Sequence, residues 1–358
     1  MASKSKILWV NAPLFNKNQG VFKYSEVIIN LINSRLDGNV QELFWTGKKG
    51  VYRHLWEFLI LPFIVLLKSF SFNKIVLYQE SIIYLLLFSI FFKDRVVVIH
   101  HFPDMKTTGT LVSRIKVMYL KFNFMLLKLP LNYKVLVPTI STKNDLLNNS
   151  TVHERDVFVI PNLFDFSITP VERSGRVDDE HAFVKILNVG SDEPRKSLKT
   201  IVKALSELNN QCDKNFIFVR AGKIVDKKSH ESTLQLAREK NVKLKYFDEP
   251  SDSELKKLYL DCDIYVSASE HEGFGRTVIE AQLASLPVVA TAIPAHEEVL
   301  QGSASLFSVG NHKQLTQCVL KILDTGFKRN LIKKGKVNSS RYLPINSENV
   351  IKKVFFDG

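Results

Sequence analysis

The chain has little cysteine: Cys212, Cys262 and Cys318 stand about fifty residues apart, with no C-x-x-C pair. An odd count at that spacing argues against a disulfide framework or a cysteine zinc site, and fits a reducing cytoplasm. Long apolar runs are missing as well. The longest uncharged ones, Phe58–Leu67 and Ser81–Phe92, are too short to span a bilayer. Met1–Pro13 enters a strand-like run at once, without the apolar region of a signal peptide. There is no internal repeat and no low-complexity tract. Aromatic stacking platforms and groups of base-reading side chains are also lacking, so nucleic-acid binding has only net charge behind it. What remains is a soluble or peripheral globular protein.

Its 358 residues exceed what one hydrophobic core usually supports, so two domains of roughly 150–200 residues are expected. A hydrophobic fraction of 45% with 24% charged residues is ordinary for such a chain. Lys and Arg outnumber Asp and Glu by 49 to 36, a net charge of +13 that suits a polyanionic partner without choosing one. The charge is unevenly placed: +11 over residues 1–150, −5 over 151–300 and +7 over 301–358.

Short β-branched or aromatic runs alternate with helix-length amphipathic segments. In the first half the runs are Ile7–Asn11, Glu42–Trp45, Ile75–Tyr78, Val96–His100, Val135–Thr139 and Val157–Pro161. In the second they are Lys185–Val189, Phe216–Ala221, Val242–Phe247, Ile264–Ser267, Val288–Thr291 and Ala304–Phe307. Apolar strands separated by helices such as Tyr24–Ser34, Leu55–Lys68 and Leu111–Lys128 predict α/β domains with parallel sheets buried on both faces. Two such series predict two doubly wound, Rossmann-like domains. The polar stretch at 167–182 is the expected linker, between a domain at 1–166 and another at 183–340. In open α/β sheets ligands bind beyond the carboxyl ends of the strands, and with two domains the natural site is a cleft between them.

The strongest chemical signal begins where a strand ends, at Ser267, and continues as Glu270-His271-Glu272-Gly273-Phe274-Gly275-Arg276-Thr277-Val278-Ile279-Glu280. Glycines there let backbone approach a ligand, and the first turn of a helix starting near Arg276 or Thr277 offers free N–H groups to an anion. Glu272 and Glu280 would lie about 12 Å apart in a continuous helix, too far for a close carboxylate dyad. They suit opposite ends of one elongated ligand, or else a loop acid and a solvated helix residue. This stretch, with the following strand and the Ile293-Pro294-Ala295 turn, resembles the E-x7-E region of retaining family-4 glycosyltransferases of GT-B fold. The resemblance implies that Glu272 sits beside the donor sugar and Glu280 binds the ribose. Backbone amides at Phe274, Gly275, Arg276 and Thr277 would meet sugar and diphosphate.

A second block, Asn188-Val189-Gly190-Ser191-Asp192-Glu193-Pro194-Arg195-Lys196-Ser197, is similar to the family's basic diphosphate loop. Lys196 fits the family lysine. Ser191 stands where many members have an arginine, and Ser197 replaces the usual glycine, so Arg195 becomes the candidate second cation or a surface charge. Two cations at a helix entrance suit a diphosphate whose charge grows as the glycosidic bond breaks. In the first half, Gln19-Gly20-Val21-Phe22 resembles a phosphate-proximal loop with a single glycine, Gly20. Val96–Ile99 running into His100-His101 resembles the strand whose terminal histidine faces the donor sugar. His100 is carried over, with the doublet leaving the register open by one.

Further features carry rival readings. Asp261-Cys262-Asp263 matches the D-x-D metal motif of the other large glycosyltransferase fold, GT-A, and equally a cap at a helix-to-strand turn. Arg114, Lys121 and Lys128 recur in seven-residue steps along Leu111–Leu129, one basic face of an apolar helix. That helix either lies on an anionic membrane or packs on the core with a solvated basic face. The resemblance implies a retaining transferase that uses a nucleoside-diphosphate sugar, with catalytic Glu272, His100 and Lys196, and with donor contacts from Arg195, Lys196, Gly20, Phe274, Gly275, Arg276, Thr277 and Glu280. No metal, no other cofactor and no nucleic acid are expected. The Asp192–Lys196 wording leans to mannosyltransferases and GDP-mannose over UDP-sugars. The expected setting is bacterial surface-polysaccharide assembly on a lipid-linked acceptor, in the cytoplasm at the inner face of the membrane. In this fold the segment 341–358 would return as a helix to the first domain, and the basic surplus of the tail would join it. The alternatives are a metal-dependent GT-A-type transferase using Asp261 and Asp263, or a non-enzymatic basic module for nucleic acid or lipid.

Overall fold

The computed structural model describes residues 5–12, 20–36, 38–45, 47, 50–100, 111–164 and 183–356. The chain forms two compact units, one from Met1–Phe164 with Tyr342–Gly358, the other from Asp165–Arg341. The linker expected at 167–182 lies outside the described residues.

The first unit is built on six parallel strands, β1 (Ser5–Asn11), β2 (Gly38–Leu43), β3 (Lys74–Tyr78), β4 (Asp94–Val98), β5 (Tyr133–Val137) and β6 (Val157–Val159), in the order β2-β1-β3-β4-β5-β6. Alternation of side chains sends Leu8, Val10, Leu77, Val97 and Val135 to one face and Ile7, Trp9, Val76, Val98 and Leu136 to the other. Both faces are buried, which is why these strands read as continuous apolar runs. β2 is the exception. Expected at Glu42–Trp45, it starts at Gly38, because a polar edge strand is set by its pairing with β1, Ser5 opposite Gly38 through Val10 opposite Leu43. Similarly, β4 stops at Val98 and leaves His100 in a bend, and β5 stops at Val137 so that Thr139 caps the helix Ile140–Asn149 by accepting from the Thr142 amide. The helix expected over Leu55–Lys68 begins at Val51 and widens into a π turn at Trp56–Ile60 before Leu61–Lys68.

The last helix, Glu348–Phe355, packs on this unit. Ile351, Val354 and Phe355 join the core that holds Trp9, and the Trp9 and Phe355 rings stack at 6.2 Å. Lys74, buried in β3, donates to the Phe355 carbonyl at 2.7 Å, and Lys134 reaches the Lys353 carbonyl at 3.1 Å. Cations thus close the carbonyl end of the helix, where its dipole is negative. Burial pulls the Lys74 ammonium below its usual range, and Asp94 at 3.6 Å works against that. The expected charge transfer does not follow. Tyr342–Gly358 has two basic and two acidic residues, so the surplus of the tail stays in the second unit. The first unit holds 22 Lys and Arg against 12 Asp and Glu, the second 27 against 24.

The second unit has strands β7 (Val184–Val189), β8 (Phe216–Ala221), β9 (Lys243–Phe247), β10 (Ile264–Ser267), β11 (Val288–Thr291) and β12 (Ser305–Phe307) in the order β12-β11-β10-β7-β8-β9, all parallel. Counted from its own first strand this is 3-2-1-4-5-6, the dinucleotide-binding order, whose switch point lies between β7 and β10.

Candidate active site

The two motif loops of the second unit leave β7 and β10, the neighbouring strands at that switch point. Each needs a backbone conformation that few residues tolerate. Gly275 sits at φ +83°, the left-handed entry to the helix Arg276–Leu283, and a Cβ there would come within 3.1 Å of the His296 ring. In the loop after β7, Gly190 lies at φ +144°, and Gly222 after β8 comes so close to the Gly190 carbonyl that any Cβ at 222 would overlap it.

The loops meet through charge. Lys196 Nζ lies 2.5 Å from Glu272 Oε1, and Arg195 Nη1 lies 3.5 Å from Glu272 Oε2. Backbone pairs lock the contact: the Glu270 amide donates to the Arg195 carbonyl at 2.8 Å, and Arg195 Nη1 to the His271 carbonyl at 3.1 Å. Arg195 Nε also bonds Glu193 Oε2 at 2.9 Å. Burial alone would raise the Glu272 carboxyl, but Lys196 and then Arg195 outweigh it and hold it down to about 2. Glu272 is therefore an anion throughout the physiological range and cannot serve as a proton donor there.

Glu280, one helix length on, is fixed at both oxygens. Tyr259 donates to Oε2 at 3.0 Å, and Arg276 Nε lies 3.6 Å from Oε1. Phe274 is buried, while Arg276 and Thr277 are half-buried in the first helical turn. Arg195, Lys196, Glu272, Phe274, Gly275, Arg276, Thr277 and Glu280 thus all belong to the switch-point end of one sheet. Beside them an open pocket of about 750 Å³ is lined by Glu193, Pro194, Arg195 and Val225–Lys228. Its size falls in the usual range for a small-molecule site.

Gly20 and His100 belong to the first unit. Gly20 is the first residue of the helix Gly20–Arg35, not part of a preceding loop, so that helix starts four residues before the apolar pattern suggests. Gln19 lies outside the described residues, as does His101, the other candidate of the histidine doublet. His100 is buried, with its ring edge-on to Tyr24 at 5.3 Å and Tyr78 at 4.8 Å.

Asp261 and Asp263 stand at the amino end of β10, whereas Glu272 and Gly275 follow its carboxyl end. Asp263 Oδ2 accepts the Lys185 amide at 2.8 Å, tying β10 to β7. Asp263 is part of the sheet's framework and Asp261 ends the preceding helix Asp252–Asp261, both at the opposite strand ends from the switch-point loops.

Three groups escaped the sequence reading. His296, buried beneath Gly275, donates from Nδ1 to the Thr291 carbonyl at 2.9 Å, which fixes its tautomer, and burial keeps it below the ordinary imidazole range. Arg220, buried at the end of β8, donates to the carbonyls of Ala221 at 2.6 Å and Gly190 at 2.7 Å, holding the Gly190 loop. Asp192, buried in that loop, bonds His230 Nδ1 at 2.7 Å. Only Arg220 left a trace in the sequence, as a charge inside an apolar strand.

Solved structures share this architecture over nearly the whole chain. Anabaena HepE, solved in complex with UDP and glucose, superposes with a TM-score of 0.77 at 15% identity, covering 99% of this chain and 100% of that one. The fold is accordingly that of the two-domain GT-B proteins. The model of the family described as Glycosyl transferases group 1 matches residues 178–337, within the second unit. Among curated relatives, the serotype-specific mannosyltransferase WbdA of Escherichia coli is 34% identical over 128 residues, 34% of this chain and 15% of its own length. A probable sucrose-phosphate synthase of Thermosipho melanesiensis is 27% identical over 194 residues, 50% of this chain and 45% of its own. The chain therefore spans less than half the length of either.

Proposed function

We propose that the protein is a retaining glycosyltransferase that moves a sugar from a nucleoside-diphosphate donor to an acceptor hydroxyl. The observation that carries this reading is the meeting of Lys196, Arg195 and Glu272 at the switch point of the second sheet, beside a helix entrance at Gly275 and a doubly held Glu280. Donor binding exchanges the Glu272 carboxylate on Lys196 for diphosphate oxygens. Lys196 and Arg195, with the Gly275–Thr277 amides, then stabilise the charge that grows on the departing diphosphate, an effect worth about 10²–10³ in rate. Glu272 turns to the donor sugar with His100, and Glu280 holds the ribose. The departing phosphate takes the acceptor proton, so no protein general base is needed, and the two cations stand in for a metal.

For the finer reading, the sugar is mannose and the base guanine, supported by the wording of the Asp192–Lys196 loop and the likeness to a named mannosyltransferase. The acceptor is a lipid-linked glycan of bacterial surface polysaccharide, met at the cytoplasmic face of the membrane. Among the described residues no helix is long and apolar enough to cross a membrane. The excess of basic residues on the first unit favours peripheral attachment to anionic lipid. A thermal-shift panel of nucleoside diphosphates tests the core of this. GDP, or UDP if the donor is a UDP-sugar, raises the melting temperature in EDTA. A panel without any response defeats the transferase reading.

A further inference from the structure

We infer that an apolar face of the first unit, formed by the segment from Trp56 to Phe70 and the helix Leu111–Leu126, inserts into the headgroup–acyl boundary of an anionic bilayer. This rests on the proposed peripheral attachment and gives it a surface and a mode. Exposed apolar residues on a monomer are ordinarily scattered singly. Here they are ordered. Leu111, Ile115, Met118, Phe122 and Met125 are all exposed and recur in steps of four and three, one stripe of a helix whose opposite face buries Val117, Leu120 and Phe124. Ile60, Phe63, Leu67 and Phe70 repeat the same steps, with Phe63 65%, Leu67 68% and Phe70 78% exposed. The two segments are neighbours, because the Phe58 ring meets Tyr119 edge-on at 6.0 Å. The apolar face continues to Phe91, itself exposed, which stacks on Phe70 at 6.0 Å.

Charge selects the occupant. The helix Leu111–Leu126 has no acidic residue, and Arg114 and Lys121 run in a seven-residue step along the flank of its stripe, with Lys128 continuing the row. Arg53 and Lys68 stand at either end of the other segment, whose one acid, Glu57, is buried. An apolar stripe bordered by cations and free of exposed acids is the pattern of an interfacial amphipathic helix. A second copy fits poorly, since an isologous contact through this face would set the basic rows against each other.

Co-sedimentation with vesicles of phosphatidylcholine, alone or with phosphatidylglycerol, at low and high salt separates the possibilities. The wild type is expected to bind the anionic vesicles and to keep at least half of that binding at high salt. The variant Phe63→Asp/Leu67→Asp/Phe70→Asp, with the melting curve and nucleotide response of the wild type, should bind at least tenfold less at high salt. Arg114→Gln/Lys121→Gln should lose binding chiefly at low anionic content. Should the triple variant unfold, Phe63→Ser alone serves, with a smaller loss. Wild-type binding that disappears at high salt overturns insertion and leaves peripheral attachment standing. Failure to bind anionic vesicles at either salt overturns both. A triple variant that binds like the wild type overturns the assignment of the face. So does a dimer in sedimentation velocity that the triple substitution abolishes while vesicles are ignored.

Discussion

The two units share a sheet architecture and differ in what lies beyond it. In the second, the loops after β7 and β10 are cross-linked by ion pairs, each carboxylate is fixed by named partners, and the basic and acidic residues nearly balance. In the first, His100 rests against tyrosine rings, the cations outnumber the acids by ten, and apolar side chains stand in the solvent. Balanced, mutually neutralised charge suits a site that must hold and release a diphosphate. Unbalanced charge beside apolar surface suits a docking face. On the proposed reading, one fold is used twice, once for chemistry and once for placement.

If that division is right, damage to either unit should leave the other readable. Phe355→Ala removes a fully buried ring from the first unit and should cost about 3–5 kcal/mol there. Calorimetry should show the first unit melting earlier while the nucleotide-dependent transition stays in place; a shift of both would merge the units into one folding block. Lys196→Ala should lower transfer by about 10²–10³, roughly 3–4 kcal/mol, with vesicle binding unchanged. A variant with near-normal turnover would remove the cation from the mechanism.

The pH dependence belongs to the second unit. The Glu272 carboxyl is held at about 2 against an ordinary 4.5, so its stabilisation is fully present above pH 4.5 and is lost as pH falls toward 2. The shift corresponds to about 3 kcal/mol. Acid titration of Glu272→Gln should lack that part of the slope, and an unchanged profile would place the ion pair elsewhere. Gly275→Ala should cost about 1–2 kcal/mol through its left-handed φ and its approach to His296, and should weaken diphosphate binding more than nucleoside binding. The smallest effect should come from Tyr259→Phe, about 1 kcal/mol, seen as a raised donor KM with kcat little changed. A fall in kcat alone would contradict a ribose-holding role for Glu280.

Much of this was legible in the sequence. Buried parallel strands announce themselves as apolar runs, and eleven of the twelve strands overlap their runs by three residues or more because burial on both faces leaves little choice of residue. β2 was misplaced because an edge strand made of Gly-Asn-Val-Gln-Glu-Leu carries no such signal. β4 lies two residues earlier than its run because its ladder starts at Asp94 and ends at Val98, while the apolar pattern continues into Ile99. The site motifs were readable as loops after strands, but not the pairing of Lys196 with Glu272, which are 76 residues apart in the chain. His296 and Asp192 gave no warning either: nothing in their local sequence distinguishes a buried hydrogen-bonding role from a solvated one. The tail's charge was misassigned for a simpler reason. The chain returns to the first unit at Tyr342, after most of the basic residues of the tail have already been used in the second.

The returning helix also bears on how the molecule is made. Ile351, Val354 and Phe355 complete a core whose other members begin at Ile7, so during synthesis the stacking of Phe355 on Trp9 forms only after all of the second unit is translated. The contiguous second unit can close as soon as it leaves the ribosome. The first gains its last core residues only at the end of translation, so contacts of high sequence separation, such as that of Lys74 with the end of the last helix, are the last it can make.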